Sequence, residues 1–298
     1  MKLPTELYPF ESHFLDRGGL RYHYLDEGQG EAVVMVHGNP TWSFYYRDLV
    51  RALRDRYRCV VPDHMGCGLS DKPGDDRYTY TLSSRVDDLE ALLEGLDLPR
   101  KLTLVVHDWG GMIGMGYAAR HPERIARIVL LNTSAFLKPD DKAMPRALSL
   151  VRNWKVGALL VRGFNAFAWG ASRIGYTSEV PREVRRAIRA PYDSWANRIA
   201  TLRFVQDIPL KPGDPAWHEA SRVEASLPTF AETPSMICWG GKDFVFDEPF
   251  LRTWERIWPK ATVHRFPEAG HYVMEDAADR IIPRVEAFLV EHPLDGHG

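Results

Sequence analysis

An aspartate stands at position 108 in Val106-His107-Asp108-Trp109-Gly110-Gly111, between an apolar run, Leu102 to Val106, and a helical stretch from Met112 to Arg120. The two glycines permit a sharp reversal, so the side chain is expected on a strand-to-helix elbow at the carboxyl edge of a sheet. A carboxylate in that place does chemistry that a serine does not. Attack by serine on a saturated carbon leaves an ether, which water does not hydrolyse. Attack by a carboxylate leaves an ester, whose carbonyl carbon accepts a second nucleophile. Residue type alone therefore points to substitution at an sp3 carbon or to opening of a strained ring. Taken by itself, an aspartate at a strand end is equally suited to capping the next helix.

Other predicted strand ends supply partners. His37-Gly38-Asn39-Pro40-Thr41-Trp42 follows the run Ala32 to Val36, and the backbone N–H groups of Asn39 and Trp109 are expected to meet as an oxyanion hole. Among the 11 histidines, His271 in Ala269-Gly270-His271-Tyr272 has the glycine-rich position after a strand that a general base needs. His37 and His64 are expected to hydrogen-bond loop backbone. Two strand ends compete to supply the acid that orients His271. Asp243, in Trp239-Gly240-Gly241-Lys242-Asp243, has a carboxylate, whereas Asn132-Thr133-Ser134 has none. Asp243 is the better choice, with capping of a helix near Pro249 as its structural alternative.

Short apolar runs separated by helical patterns carry these residues. A hairpin comes first, Ser12 to Leu15 and Leu20 to Tyr24 around Asp16-Arg17-Gly18-Gly19. Ala32 to Val36, Cys59 to Val61, Leu102 to Val106, Ile125 to Leu131, Ser235 to Cys238 and Thr262 to Phe266 are expected as buried parallel strands. Ser83 to Leu96 and Ile281 to Glu291 are helical patterns between or after them. Such alternation predicts an α/β fold with a mostly parallel, doubly wound sheet flanked by helices. It breaks between about Ser134 and Phe230, where aromatic and basic residues recur at helical spacing. The expected division is a core domain over 1–133 and 231–298 with a helical cap over 134–230, roofing the carboxyl ends of the strands.

With 298 residues, 45% hydrophobic and 26% charged, the chain is long enough for one large core and an insertion. A net charge of −2 gives no basic footprint for nucleic acid. Cys59, Cys67 and Cys238 are scattered, without metal-ligand spacing, which fits a reducing cytoplasm. Neither an apolar leader after Lys2 nor a run of membrane-spanning length is visible. The expected partners are a small apolar organic substrate and water.

His37-Gly38-Asn39-Pro40-Thr41-Trp42-Ser43, Asp63 to Pro73 and His107-Asp108-Trp109-Gly110-Gly111, in that order, resemble the haloalkane dehalogenase family of α/β-hydrolases over nearly the whole chain. That resemblance implies Asp108 as nucleophile, His271 as base, Asp243 as its partner, and the side chains of Asn39 and Trp109 as uncharged donors to a departing halide. The expected reaction is a two-step hydrolysis through an Asp108 alkyl ester, and it requires no metal or organic cofactor because nucleophile and base are both side chains. The cap aromatics with Val156, Leu159 and Leu160 are candidates to line a long channel, with packing of the cap helices as the equal alternative, so medium or long substrates are expected over two-carbon ones. One branch of the family carries its acid where this chain has Asn132-Thr133-Ser134. Another draws a halide donor from a cap tryptophan, to which Trp154, Trp169 and Trp195 have no clear match. An acid at Asp243 with the Asn39 and Trp109 pair is similar to the third branch. That branch includes β-lactone decarboxylases of bacterial olefin biosynthesis. Pro191 to Arg198 and Phe204 to Leu210 are similar to those enzymes, for which a biosynthetic enzyme assembly is a further expectation. Epoxide hydrolases share the aspartate elbow and need two cap tyrosines, for which Tyr176 and Tyr192 are candidates. Fluoroacetate-type enzymes need arginines after the nucleophile, and Trp109 to Met112 supply none. A ligand-binding protein on the same scaffold would have no use for nucleophile, base and acid together.

Overall fold

Runs of Val, Ile and Leu become strands here because helices cover both faces of the sheet they form. In the computed structural model, which describes residues 6–294, eight strands are present: β1 (His13–Asp16), β2 (Arg21–Glu27), β3 (Ala32–Val36), β4 (Arg58–Pro62), β5 (Leu102–Asp108), β6 (Ile125–Thr133), β7 (Ser235–Gly240) and β8 (Thr262–Phe266). They form one sheet in the order β1-β2-β4-β3-β5-β6-β7-β8. β1 and β4 each pair antiparallel with β2, and every other pairing is parallel.

Twelve α-helices fill the intervals among the described residues: α1 (Arg47–Leu53), α2 (Leu82–Gly95), α3 (Trp109–Arg120), α4 (Arg146–Asn153), α5 (Lys155–Phe164), α6 (Ala166–Ile174), α7 (Arg182–Arg189), α8 (Ile199–Gln206), α9 (Trp217–Ser226), α10 (Glu248–Ile257), α11 (Val273–Asp276) and α12 (Ala278–Glu291). Six of them, α4 to α9, lie between β6 and β7, where no strand occurs. Local chemistry sets several boundaries. The Thr81 hydroxyl accepts the Ser84 amide at 3.3 Å and starts α2. Pro249 stands in the first turn of α10, where its missing N–H has no intrahelical use.

Alternation along the strands divides the core between the two faces. Val34, Val36, Leu104 and Val106 pack with Val86 and Leu89 of α2 and Ile113 of α3. Val33, Met35, Val105 and Val129 turn the other way, toward Leu49 and Val50 of α1 and Val285 and Leu289 of α12. Close approach of α3 to the sheet depends on Gly110, where a Cβ would lie 1.9 Å from the Val36 carbonyl oxygen. β8 departs from expectation. It is the edge strand beyond β7, and Thr262 and Arg265 are exposed, so its apolar run is not buried on both faces.

Candidate active site

β5 ends at Asp108 and α3 starts at the next residue, so the elbow is a single residue, with φ 51° and ψ −126°. An L-residue rarely adopts such a conformation, and here surrounding structure enforces it. Asp108 makes no side-chain cap to α3, which removes the capping alternative. The carboxylate meets the loop after β3 instead. The Asn39 backbone N–H donates to Asp108 Oδ1 at 2.6 Å, and the Trp109 backbone N–H is also directed at the carboxylate. Gly38 makes this approach possible, since a Cβ there would lie 2.0 Å from Oδ1. Oδ1 is thus held by the Asn39 amide, and the other oxygen, Oδ2, lies 3.7 Å from His271 Nε2.

His271 comes from the loop after β8. Its Nδ1 is 2.8 Å from Asp243 Oδ2, and Asp243 Oδ1 accepts the Val245 and Phe246 amides at 2.7 and 3.1 Å. Those bonds fix the carboxylate in the loop after β7. Asp243 does not cap α10, whose N-cap is Asp247. Asn132, at the competing strand end, stitches β6 to β7: its side-chain amide donates to the Gly240 carbonyl at 3.1 Å and accepts the Gly240 N–H at 2.7 Å. All five predicted site residues, Asn39, Asp108, Trp109, Asp243 and His271, come together, and four of them line one cavity, with Asp243 behind His271.

Burial and charge act against each other here. Burial pushes the Asp108 carboxyl up, offset in part by His271 and by the Asn39 and Trp109 amides. Burial pulls His271 down, but the Asp243 charge and hydrogen bond, with Asp108 behind them, outweigh it and raise its affinity for a proton. His37 and His64 do bond loop backbone: His37 Nδ1 to the Gly38 carbonyl and His64 Nε2 to the His37 carbonyl, both at 2.8 Å.

Above Asp108 lies a cavity of ≈ 620 Å³, walled by α4, α5, α6, the end of α8 and the Phe244-Val245-Phe246 loop. Its walls are largely aliphatic and aromatic, with Asn39, Trp109 and His271 as polar groups beside the carboxylate. Asn39 Nδ2 donates to the Thr201 carbonyl at 3.1 Å, and an amide nitrogen carries a second hydrogen. Trp154, Trp169 and Trp195 do not line this cavity, and neither do Tyr176 and Tyr192. Tyr192 is buried with its hydroxyl 3.4 Å from the Thr41 carbonyl, so a tyrosine pair for epoxide opening is not assembled over Asp108. Val156 and Leu159, expected to line a channel, face solvent, whereas Leu160 does line the cavity.

Three supporting residues escaped the sequence reading. His107 Nε2 bonds the His271 carbonyl at 2.9 Å, Phe246 stacks on the His271 ring at 5.9 Å, and Thr133 Oγ1 donates to the Asp108 carbonyl at 2.5 Å. Only nearness in sequence, His107 next to Asp108 and Phe246 three residues after Asp243, hinted at two of them.

Residues 31–278 match a family described as the alpha/beta hydrolase fold. A cis-3-alkyl-4-alkyloxetan-2-one decarboxylase of Shewanella oneidensis is 59% identical over 286 residues, 96% of this chain and 90% of that protein. A protein of the same name from Xanthomonas campestris is 50% identical, over 96% of this chain and 98% of the other. Haloalkane dehalogenase 2 of Mycobacterium tuberculosis is 35% identical, over 93% and 94%. A crystal structure of a haloalkane dehalogenase from Agrobacterium tumefaciens superposes with a TM-score of 0.84 at 23% identity, covering 95% of this chain and 97% of that one.

Proposed function

Because the chain belongs to the alpha/beta hydrolase fold family and shares more sequence with oxetanone decarboxylases than with haloalkane dehalogenases, we propose that it decarboxylates cis-3,4-dialkyl β-lactones to olefins. The observation that carries the reading is high identity to the two decarboxylases over 96% of the chain, spanning both the elbow and the helices that roof it. Carbon–halogen hydrolysis, placed first on sequence grounds, becomes the second reading. The 134–230 segment acts as the cap and Asp108, His271 and Asp243 act as the triad.

The site chemistry suits a four-membered lactone. Asp108 Oδ2 attacks the ring carbon that bears the ring oxygen, and that C–O bond breaks, leaving a carboxylate on the neighbouring carbon. The side-chain N–H groups of Asn39 and Trp109 stabilise the departing carboxylate as they would a halide. The bond to that carboxylate then breaks, its electron pair forms the C=C bond, and the Asp108 carboxylate leaves. Carbon dioxide and olefin result, and neither water nor a net proton is consumed. Inversion in the first step followed by anti departure in the second converts a cis lactone to a cis olefin. Asp108 Oδ1 keeps the Asn39 backbone amide throughout, and His271 faces the oxygen that must regain its charge.

The two readings separate on the fate of oxygen. Hydrolysis of an alkyl ester at its carbonyl would put solvent oxygen into Asp108, whereas elimination returns the original oxygen. A single turnover in H₂¹⁸O with a long-chain cis β-lactone should give cis olefin and an unlabelled Asp108 peptide, and Asp108→Ala should give neither product nor label. Bromide release from a bromoalkane with ¹⁸O in Asp108, and no olefin from the lactone, would overturn the decarboxylase reading in favour of the second.

A further inference from the structure

Helix α5 is apolar on two sides. Gly157 and Val161 are buried, whereas Val156, Leu159, Leu160 and Phe164, at helical spacing, are between 37% and 73% exposed. A helix needs one apolar stripe to join a core, so the second is unaccounted for by folding. α5 packs against both α4 and α6, and Trp154 before it and Trp169 beyond it are also exposed. Soluble monomers rarely present so many large apolar side chains in one region without a binding role.

Two features of the same region identify what covers it. From Lys142 to Ser178 the chain carries six Lys and Arg residues and no Asp or Glu. Of these, Arg146, Lys155, Arg162 and Arg173 form no ion pair among the described residues, and Arg162 and Arg173 lie over the rings of Trp195 and Trp169. The cavity also opens here, since Leu150, Leu160 and Ile174 are at once exposed and part of its lining. Apolar side chains surrounded by tryptophan and by cations that lack an ion-pair partner have the composition of helices lying in a bilayer interface. Among the described residues no helix is long and apolar enough to cross a membrane.

We propose that the α4–α6 face docks on an anionic lipid bilayer with the cavity mouth against it, so that an apolar substrate reaches Asp108 without passing through water. The surface and its charge support docking whichever apolar substrate the cavity takes. A protein partner would need a complementary shape, which a fluid bilayer does not.

Flotation of the purified full-length protein with phosphatidylethanolamine vesicles containing phosphatidylglycerol tests this. Wild type should rise with the vesicles, and high salt or omission of phosphatidylglycerol should release it. Phe164→Ser combined with Val156→Ser should weaken partitioning by about tenfold or more, and Lys155→Ala by about fivefold. These positions do not line the cavity, so unchanged near-ultraviolet circular dichroism and thermal midpoint would show that the fold persists. Wild type left in the dense fraction, or a double variant that floats as wild type does, would overturn the proposal. So would concentration-dependent self-association, abolished by the same double substitution, in protein that ignores vesicles.

Discussion

His271 lies between two carboxylates, and its protonation follows from how each contributes. With Nδ1–H donated to Asp243, a neutral imidazole turns a bare lone pair on Nε2 toward Asp108 and repels the charge that returns there. The proposed lactone conversion would therefore require the imidazolium, and its rate should fall as pH rises through the raised His271 pKa. Ester hydrolysis would show the reverse, because it needs neutral His271 as base. Asp243→Asn removes the largest influence holding the pKa up, and burial then prevails. The limb should move to lower pH, with turnover reduced about a hundredfold or more. A pH–rate profile of this variant on a β-lactone checks it; an unmoved limb would assign that limb to another group. Asp108 and His271 were legible in the sequence because an acid at an elbow and a histidine among glycines are unusual residue types for those places. His107 and Thr133 were not, since each acts through a backbone carbonyl that only the fold brings near.

The loops that carry these groups are braced at the level of elements. Asp63, directly after β4, accepts the Ser43 N–H at 2.6 Å and the Leu69 N–H at 2.8 Å and lies 2.7 Å from His23 Nδ1 in β2. One buried carboxylate thus ties β2 to the segments after β3 and β4. Burial pushes the Asp63 carboxyl up, but His23, His37 and the Leu69 amide outweigh it and hold it well below the usual carboxylate range. A depressed pKa contributes stability that is complete above the unfolded value, about 4, and is lost as pH falls toward the folded one. Asp63→Asn should cost about 3–5 kcal/mol at neutral pH and flatten the acid loss of stability, as urea midpoints at several pH values would show. An unchanged midpoint would mean that the amides alone suffice. The strands were legible because runs buried on both faces are continuously apolar. β8 misled because an edge strand keeps that composition while one side is open. α5 misled for a related reason: with two apolar stripes, periodicity does not say which of Val156, Leu159 and Leu160 turns inward.

At the scale of the molecule, the elbow is supported by contacts from β3, β5, β6 and the loop after β8. Holding Asp108 at a positive φ costs on the order of 1–3 kcal/mol, and its buried charge adds to that. Glycine adopts this conformation freely, though it loses more chain entropy on folding. Asp108→Gly should therefore be inert yet melt later, by about 1–2 °C for each kcal/mol relieved. Calorimetry decides it, and a lower midpoint would mean that the carboxylate's bonds to the Asn39 and Trp109 amides outweigh the strain. The site and the fold then pull in opposite directions during evolution. Descendants that abandon this reaction would drift toward hardier proteins, and thermal robustness in a sister lineage would be a relic of lost catalysis rather than a sign of adaptation to heat.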